Sequence, residues 1–244
     1  MSYLFVTDER EYLLQPGDTF ESDLGVLEVP EDVAAGDRVE THLGTAFAVR
    51  EMRLPDLFHH LDRTGAPMMP RDVGLLLGHT GISRGDRVLD AGTGTGVLAA
   101  AMGRVGAEVV SYELDPEFAE NARENMEIAG VAAAVDVRSG DVTEELDDLA
   151  ETDGPFDVVT LDTADASAVV ERAPELLVAG GFVAVYAPFV EQTRESVEAA
   201  RAAGLSDIET FETIQREMDF DDRGSRPSTA GVGHTGYLTF ARRS

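Results

Sequence analysis

The chain has 244 residues, 43% of them hydrophobic, enough to bury one large core or two smaller ones. It carries 47 acidic against 19 basic residues, a net charge of -28, and every basic residue is arginine. The absence of cysteine excludes disulfides and zinc–thiolate sites, and no apolar run approaches the length of a membrane span.

The first eight residues lack a basic region followed by an apolar core, so no signal peptide is expected and the cytoplasm is the expected location. The acids are dispersed rather than gathered in a tail. Dispersed negative charge keeps a protein soluble where high salt screens repulsion, as in proteins of salt-loving archaea. Such a charge ordinarily argues against a nucleic-acid partner. In molar salt, however, counterion release contributes little, and RNA recognition must rest on shape, stacking and hydrogen bonds.

Residues 1–65 read as short strands (10–14, 19–20, 25–29, 38–41 and 45–49) separated by turns at Pro16-Gly17, Pro30-Glu31 and Ala35-Gly36. This predicts a small β domain serving RNA docking or assembly. His59-His60 invites a metal reading, but adjacent side chains diverge and no carboxylate pattern accompanies them, so no metal is expected.

Residues 66–244 form a second predicted domain of alternating helices and strands. A helix over 72–77 is followed by strands at 87–90, 108–113, 134–138, 156–162 and 181–186, with the clearest helices at 116–126 and 191–203. The alternation predicts a doubly wound α/β sheet. Two β runs at 208–218 and 235–241, with no helix-length segment between them, predict an antiparallel pair at a sheet edge.

The strand at 87–90 runs into Asp90-Ala-Gly-Thr-Gly-Thr-Gly96 and then a helical stretch from Val97. Glycines Gly92, Gly94 and Gly96 let the backbone turn sharply and approach a ligand where a Cβ would collide. Asp90, at the strand end, suits a cationic group such as the ammonium of S-adenosylmethionine. Gly94-Thr-Gly96-Val-Leu-Ala99 also satisfies the dinucleotide fingerprint, and Glu113 is spaced to hold ribose hydroxyls in either case. The loop alone therefore leaves a methyl donor, a dinucleotide and a plain packing turn open.

Asp90, Glu113, Asp141 and Asp162 all fall at or just after predicted strand ends, which line the ligand crevice of an open α/β sheet. Asp90 would meet the ammonium, Glu113 the ribose diol and Asp141 the adenine amino group, with Asp162 where substrate meets the methyl. Acids are also common everywhere in so acidic a chain. Phe118 walls the adenine pocket or packs in the core, and His234 is expected to be structural. Arg216, Arg223 and Arg226, near the C-terminal β runs, contact phosphate or form solvated salt bridges.

With Met69-Pro-Arg-Asp72, Val88 to Leu98, Ser111-Tyr-Glu113, Ala122-Arg-Glu-Asn125, Leu161-Asp162, the glycine pair at 180–181 and Gly233-His-Thr-Gly-Tyr-Leu238, the chain resembles the archaeal and bacterial tRNA (adenine-N1)-methyltransferases that act in the T loop. The resemblance implies a Rossmann-like, seven-stranded class I methyltransferase sheet with a small N-terminal β domain. It implies methyl transfer from S-adenosylmethionine to N1 of adenine 58, with 57 as a second candidate, by a homotetramer. Thr95, Gly96, Val97 and Leu98 would cradle the methionine part, Glu113 the ribose and Asp141 the adenine, with Phe118 packed nearby and Asp162 as the active-site carboxylate. Met69 stands where members usually carry Tyr or His, and Thr-Ala-Asp-Ala follows Asp162 in place of an apolar-proline run. Alternatives are a methyltransferase for a small molecule or protein, or a non-catalytic tRNA-binding subunit.

Overall fold

The computed structural model describes residues 2–8 and 10–244; Met1 and Glu9 lie outside the described residues. The N-terminal region holds six short strands: β1 (Tyr3–Val6), β2 (Glu11–Leu14), β3 (Thr19–Ser22), β4 (Gly25–Glu28), β5 (Arg38–Glu40) and β6 (Ala46–Glu51). Four of them form an antiparallel sheet in the order β2-β1-β6-β5, and β3 pairs with β4 in a separate hairpin. Phe5, Leu14, Leu27, Phe47 and Val49 fill a core of their own.

The sequence pattern misses β1, and its burial explains why. Leu4 and Phe5 are both fully buried but on opposite sides. Phe5 points into the small β core, whereas Leu4 joins the main core together with Met52, Leu57 and Leu61. A strand buried on both faces lacks the alternation that marks a half-exposed one. A short helix unseen in the pattern, α1 (Leu54–His60), then carries Leu57 into the main core.

The remainder comprises α2 (Pro70–Thr80), β7 (Arg87–Ala91), α3 (Val97–Val105), β8 (Glu108–Glu113), α4 (Pro116–Ala129), β9 (Val135–Ser139), the single turn α5 (Leu146–Asp148), β10 (Phe156–Leu161), α6 (Ala166–Leu176), β11 (Leu177–Ala187), α7 (Val190–Ala202), β12 (Ser206–Glu212), the hairpin strands β13 (Met218–Asp221) and β14 (Gly224–Pro227), and β15 (Tyr237–Arg242). The main sheet runs β12-β15-β11-β10-β7-β8-β9. Its five strands from β11 to β9 are parallel, and β15 lies antiparallel between β11 and β12. The expected seven-stranded doubly wound sheet with its antiparallel edge is therefore present. The predicted run over 208–218 divides into β12 and a projecting hairpin, β13–β14, which pairs only with itself.

Helices cover both faces of the sheet. Successive residues of β7 feed opposite layers: Val88 packs with the core beneath α2, α3 and α4, and Leu89 with the core beneath α6 and α7. Val158 and Val159 of β10 divide in the same way. Pro70 at the first turn and Gly81 in a left-handed cap bound α2. Asp115 caps α4 by accepting from the main-chain N–H groups of Glu117 and Phe118. The strand order reverses beside β7, which places a crevice at the carboxyl ends of β7, β8 and β10. Among the described residues, no helix is long and apolar enough to cross a membrane.

Candidate active site

The glycine loop follows β7 directly. Gly92, Gly94 and Gly96 have φ of 90°, 51° and 82°. At Gly92 a second constraint applies, because a Cβ there would run into the main-chain carbonyl of Asp162. That approach is held by the Asp162 N–H donating to Ala91 O at 2.8 Å. The Gly94 N–H donates to Glu113 Oε2 at 2.8 Å, so the carboxylate ending β8 orders the loop after β7. Glu113 Oε1 also accepts the Asp115 N–H at 3.1 Å, tying it to the start of α4.

Asp90 lies beneath this loop, 3% exposed. The parallel register puts Ser111 of β8 and Thr160 of β10 level with it, one on each side. Both hydroxyls donate to its carboxylate at 2.6 Å. Burial pushes the Asp90 carboxyl up, the two hydroxyls pull it down, and the charge of Glu113 adds to the rise. With each oxygen held by a neighbouring strand, Asp90 fastens the sheet ends together below the crevice.

The crevice itself has a volume of about 390 Å³ and is walled by Gly92, Gly94, Glu113, Phe118, Asp141 and Asp162 among others. Its charged lining is Glu113, Asp141, Asp162 and Asp165, with no arginine or histidine. Asp141 Oδ1 accepts both the N–H and the hydroxyl of Thr143, at 2.9 and 2.7 Å, which lowers its carboxyl and leaves Oδ2 for a ligand. Asp162 is open to solvent through the crevice mouth while protein surrounds it elsewhere. That surrounding, then the charges of Asp90 and Glu113, push its carboxyl up to about 7.

Six of the residues expected from sequence thus meet at one cavity: Gly92, Gly94, Glu113, Phe118, Asp141 and Asp162. Asp90, Thr95, Gly96, Val97 and Leu98 do not line it. Val97 and Leu98 turn into the core beneath α3, and Gly96 caps that helix with Met126 Cε 2.5 Å from where its Cβ would stand. Thr95 is buried, with its carbonyl held at 2.9 Å by the Asn125 amide.

The family description "tRNA methyltransferase complex GCD14 subunit" matches residues 55–223. The chain belongs to this tRNA methyltransferase family. Over 99% of its length it is 34% identical to the tRNA (adenine(57)-N(1)/adenine(58)-N(1))-methyltransferase TrmI of Methanocaldococcus jannaschii, covering 95% of that protein. It is 31% identical to the tRNA (adenine(58)-N(1))-methyltransferase TrmI of Thermus thermophilus over 96% of its length, covering 93% of that relative. Among solved structures, a SAM-dependent O-methyltransferase from Thermotoga maritima superposes with a TM-score of 0.80 at 25% identity, over 99% of this chain and 92% of that one. The tRNA (m1A58) methyltransferase TrmI of Aquifex aeolicus shares the fold, with a TM-score of 0.74 at 22% identity over 100% and 97% of the two chains.

Several residues of this GCD14-family chain escape pattern reading. Asn125, fully buried on α4, donates to the carbonyls of Thr95 and Asp62 and accepts the Asp62 N–H at 3.0 Å. It thereby clamps the segment before α2 against the glycine loop. Tyr186, near the end of β11, follows Val185, which is in register with Leu161 just before Asp162; burial pushes its hydroxyl up first, and the Asp162 charge adds to the rise. Its ring packs against Gly236, next to Thr235, whose hydroxyl donates to Asp72 Oδ2 at 3.2 Å and accepts from Arg71 Nη2 at 2.9 Å. A polar residue at a strand end is the one available sequence signal for Tyr186. Met69 walls a second cavity of about 430 Å³ with Arg71, Arg216 and Thr235.

The remaining candidates have structural partners. His60 pairs with Glu11 at 2.8 Å, joining α1 to β2. His234 faces the Pro188 carbonyl at 3.0 Å and Glu212 at 2.8 Å, and these acceptors, in that order, raise its imidazole. Arg223 pairs with Asp221 and Arg226 lies 3.9 Å from Asp219, both within the projecting hairpin.

Proposed function

We propose that the chain transfers a methyl group from S-adenosylmethionine to N1 of an adenine in the T loop of tRNA, at position 58 with 57 as a second site. The observation that carries the cofactor assignment is the all-acidic crevice beside the glycine loop. A pyrophosphate there would face Glu113, Asp141, Asp162 and Asp165 with no cation in the wall. A ligand with an ammonium, a sulfonium, a ribose diol and an exocyclic amine suits the same set, and the volume is of the usual size for a small-molecule site, roughly 300–1,000 Å³. Full-length similarity to two TrmI proteins supports the tRNA substrate.

When bound, S-adenosylmethionine supplies an activated methyl on a sulfonium. Glu113 accepts the ribose hydroxyls, Asp141 Oδ2 accepts the adenine amine, and Phe118 packs against the nucleoside. Gly92 and Gly94 let the loop come close, while Asp90 and Thr95 to Leu98 hold its shape from below. N1 of adenine carries a lone pair, so no proton must leave before attack. The remaining requirement is in-line placement of a base taken out of its stack. Asp162 accepts a hydrogen bond from the exocyclic amine of the target and stabilises the positive charge that develops on the ring.

The division into a β region over 1–65, for RNA docking or assembly, and a catalytic region over 66–244 belongs to the same reading. So do a homotetramer and a cytoplasmic location, together with a salt-loving archaeal source, for which the lysine-free composition with its net charge of -28 is the support. The test of substrate position is transfer of labelled methyl groups to unmodified tRNA and to a transcript with guanine at 57 and 58. Label is expected in the first alone; equal labelling of both overturns the site assignment.

A further inference from the structure

The second cavity has an unusual charge for this protein. It lies between the start of α2 and the segment 215–235, and its charged lining is Arg71, Arg216 and Glu217. Most arginines elsewhere that approach a carboxylate are paired with it, as are Arg10, Arg50, Arg138, Arg172 and Arg194. In a chain with 47 acids and 19 arginines, two guanidinium groups turned to one cavity with a single carboxylate in its lining, Glu217, stand out, and the one ion pair between them is the long contact of Arg71 with Asp72. Arg216 donates to the Ser228 carbonyl, a neutral acceptor, at 3.2 and 3.3 Å. Arg71 donates to the Thr235 hydroxyl, while its buried Nε has no hydrogen-bond partner and stands 3.8 Å from Asp72.

Thr235 lines this cavity, Gly236 after it packs against the Tyr186 ring, and Tyr186 follows Val185, which is in parallel register with Leu161 just before Asp162. The cavity therefore lies towards the same strand ends as Asp162, and it shares no lining residue with the acidic crevice. A nucleotide whose base reaches Asp162 brings its phosphodiesters with it, and guanidinium forks match phosphate geometry. We propose that this cavity binds an RNA phosphodiester flanking the target adenine, with Arg71 and Arg216 as its ligands. The inference rests on tRNA being the substrate.

The test compares wild type, Arg216→Gln, Arg71→Lys and the double variant, with Arg194→Gln on α7 as a control for lost charge. Arg216 is exposed and Arg71→Lys keeps its charge, and melting curves verify that each variant folds. Affinity for unmodified tRNA is measured across a salt series, with steady-state methylation and titration of S-adenosylmethionine alongside. Arg216→Gln should weaken tRNA binding about tenfold and lower the slope of log affinity against log salt by about one. KM for tRNA should rise with kcat little changed, S-adenosylmethionine affinity should stay the same, and Arg194→Gln should match wild type. Unchanged tRNA affinity and salt slope in the folded double variant overturn the inference and leave the tRNA reading standing. A parallel loss of S-adenosylmethionine affinity assigns the cavity to the cofactor carboxylate and overturns it too. A wild type that binds no tRNA overturns the substrate reading and the inference together.

Discussion

The main-chain carbonyl of Asp162 occupies the space that a side chain on Gly92 would need. Through that contact the glycine loop and the carboxylate at the end of β10 are positioned as one unit, fixed by the Asp162 N–H to Ala91 O bond. Gly92 also has a φ of 90°, so a substitution meets both a strained backbone and a clash with main chain that cannot rotate away. Gly92→Ala should lower stability by roughly 1–3 kcal/mol and weaken S-adenosylmethionine binding by more than tenfold. Thermal unfolding and calorimetric titration check the two effects, and a variant with wild-type values in both would remove Gly92 from the site.

Asp162 gives a pH dependence with a definite sign. Its folded carboxyl is pushed up to about 7 from an ordinary 3.8. Between those values the folded state holds a proton that the unfolded chain has released, so stability falls as pH rises through that window. Asp162→Asn should flatten this decline in melting temperature. In the wild type kcat/KM should rise with pH towards a plateau, with an apparent pKa near 7, because the ionised form is the hydrogen-bond acceptor. The variant should lose most of the activity and the pH step together; retention of both would contradict the assigned role.

The glycine loop and the strand-end acids are legible in sequence because each depends on short-range pattern: an apolar run, a turn and a helix start. What decides the fate of Asp90 is not short-range. Ser111 and Thr160 lie 21 and 70 residues further along the chain, and only the pairing of β8 and β10 with β7 brings their hydroxyls level with it. Reading along the chain therefore aims Asp90 at a ligand but does not show the two hydroxyls that the sheet register sets on either side of it. The burial of the Thr95, Val97 and Leu98 side chains is hidden for the same reason, since a helix start in sequence does not reveal which face the core will take. The cation pair at Arg71 and Arg216 joins two ends of the molecule and has no local signature.

The Asp90 fastening makes its own prediction. Thr160→Val keeps side-chain shape but leaves one oxygen of a buried carboxylate without its donor. The cost should be about 1–3 kcal/mol of stability. Denaturant unfolding measures it, and a loss below a few tenths of a kcal/mol would mean the carboxylate is satisfied in another way.

Asn125 supplies the clamp between Asp62 and Thr95. Asn125→Leu keeps approximate volume but strands buried carbonyl and N–H groups, at about 2–3 kcal/mol. Loosening the glycine loop should also raise the dissociation constant of S-adenosylmethionine several-fold. Comparison with Glu124→Ala, at an exposed position of α4, separates the clamp from a general change in the helix. Equal effects in the two variants would contradict the clamp.

The central claim is methylation of a tRNA adenine at N1, and one measurement addresses it directly. Unmodified tRNA is incubated with the protein and S-adenosylmethionine in high potassium chloride, digested to nucleosides and resolved by mass spectrometry against standards. The account predicts 1-methyladenosine, mapped by fragment analysis to the T loop, and its loss with Asp162→Ala. Methylated nucleosides other than 1-methyladenosine, or no methylated tRNA from protein that binds the cofactor, would contradict it.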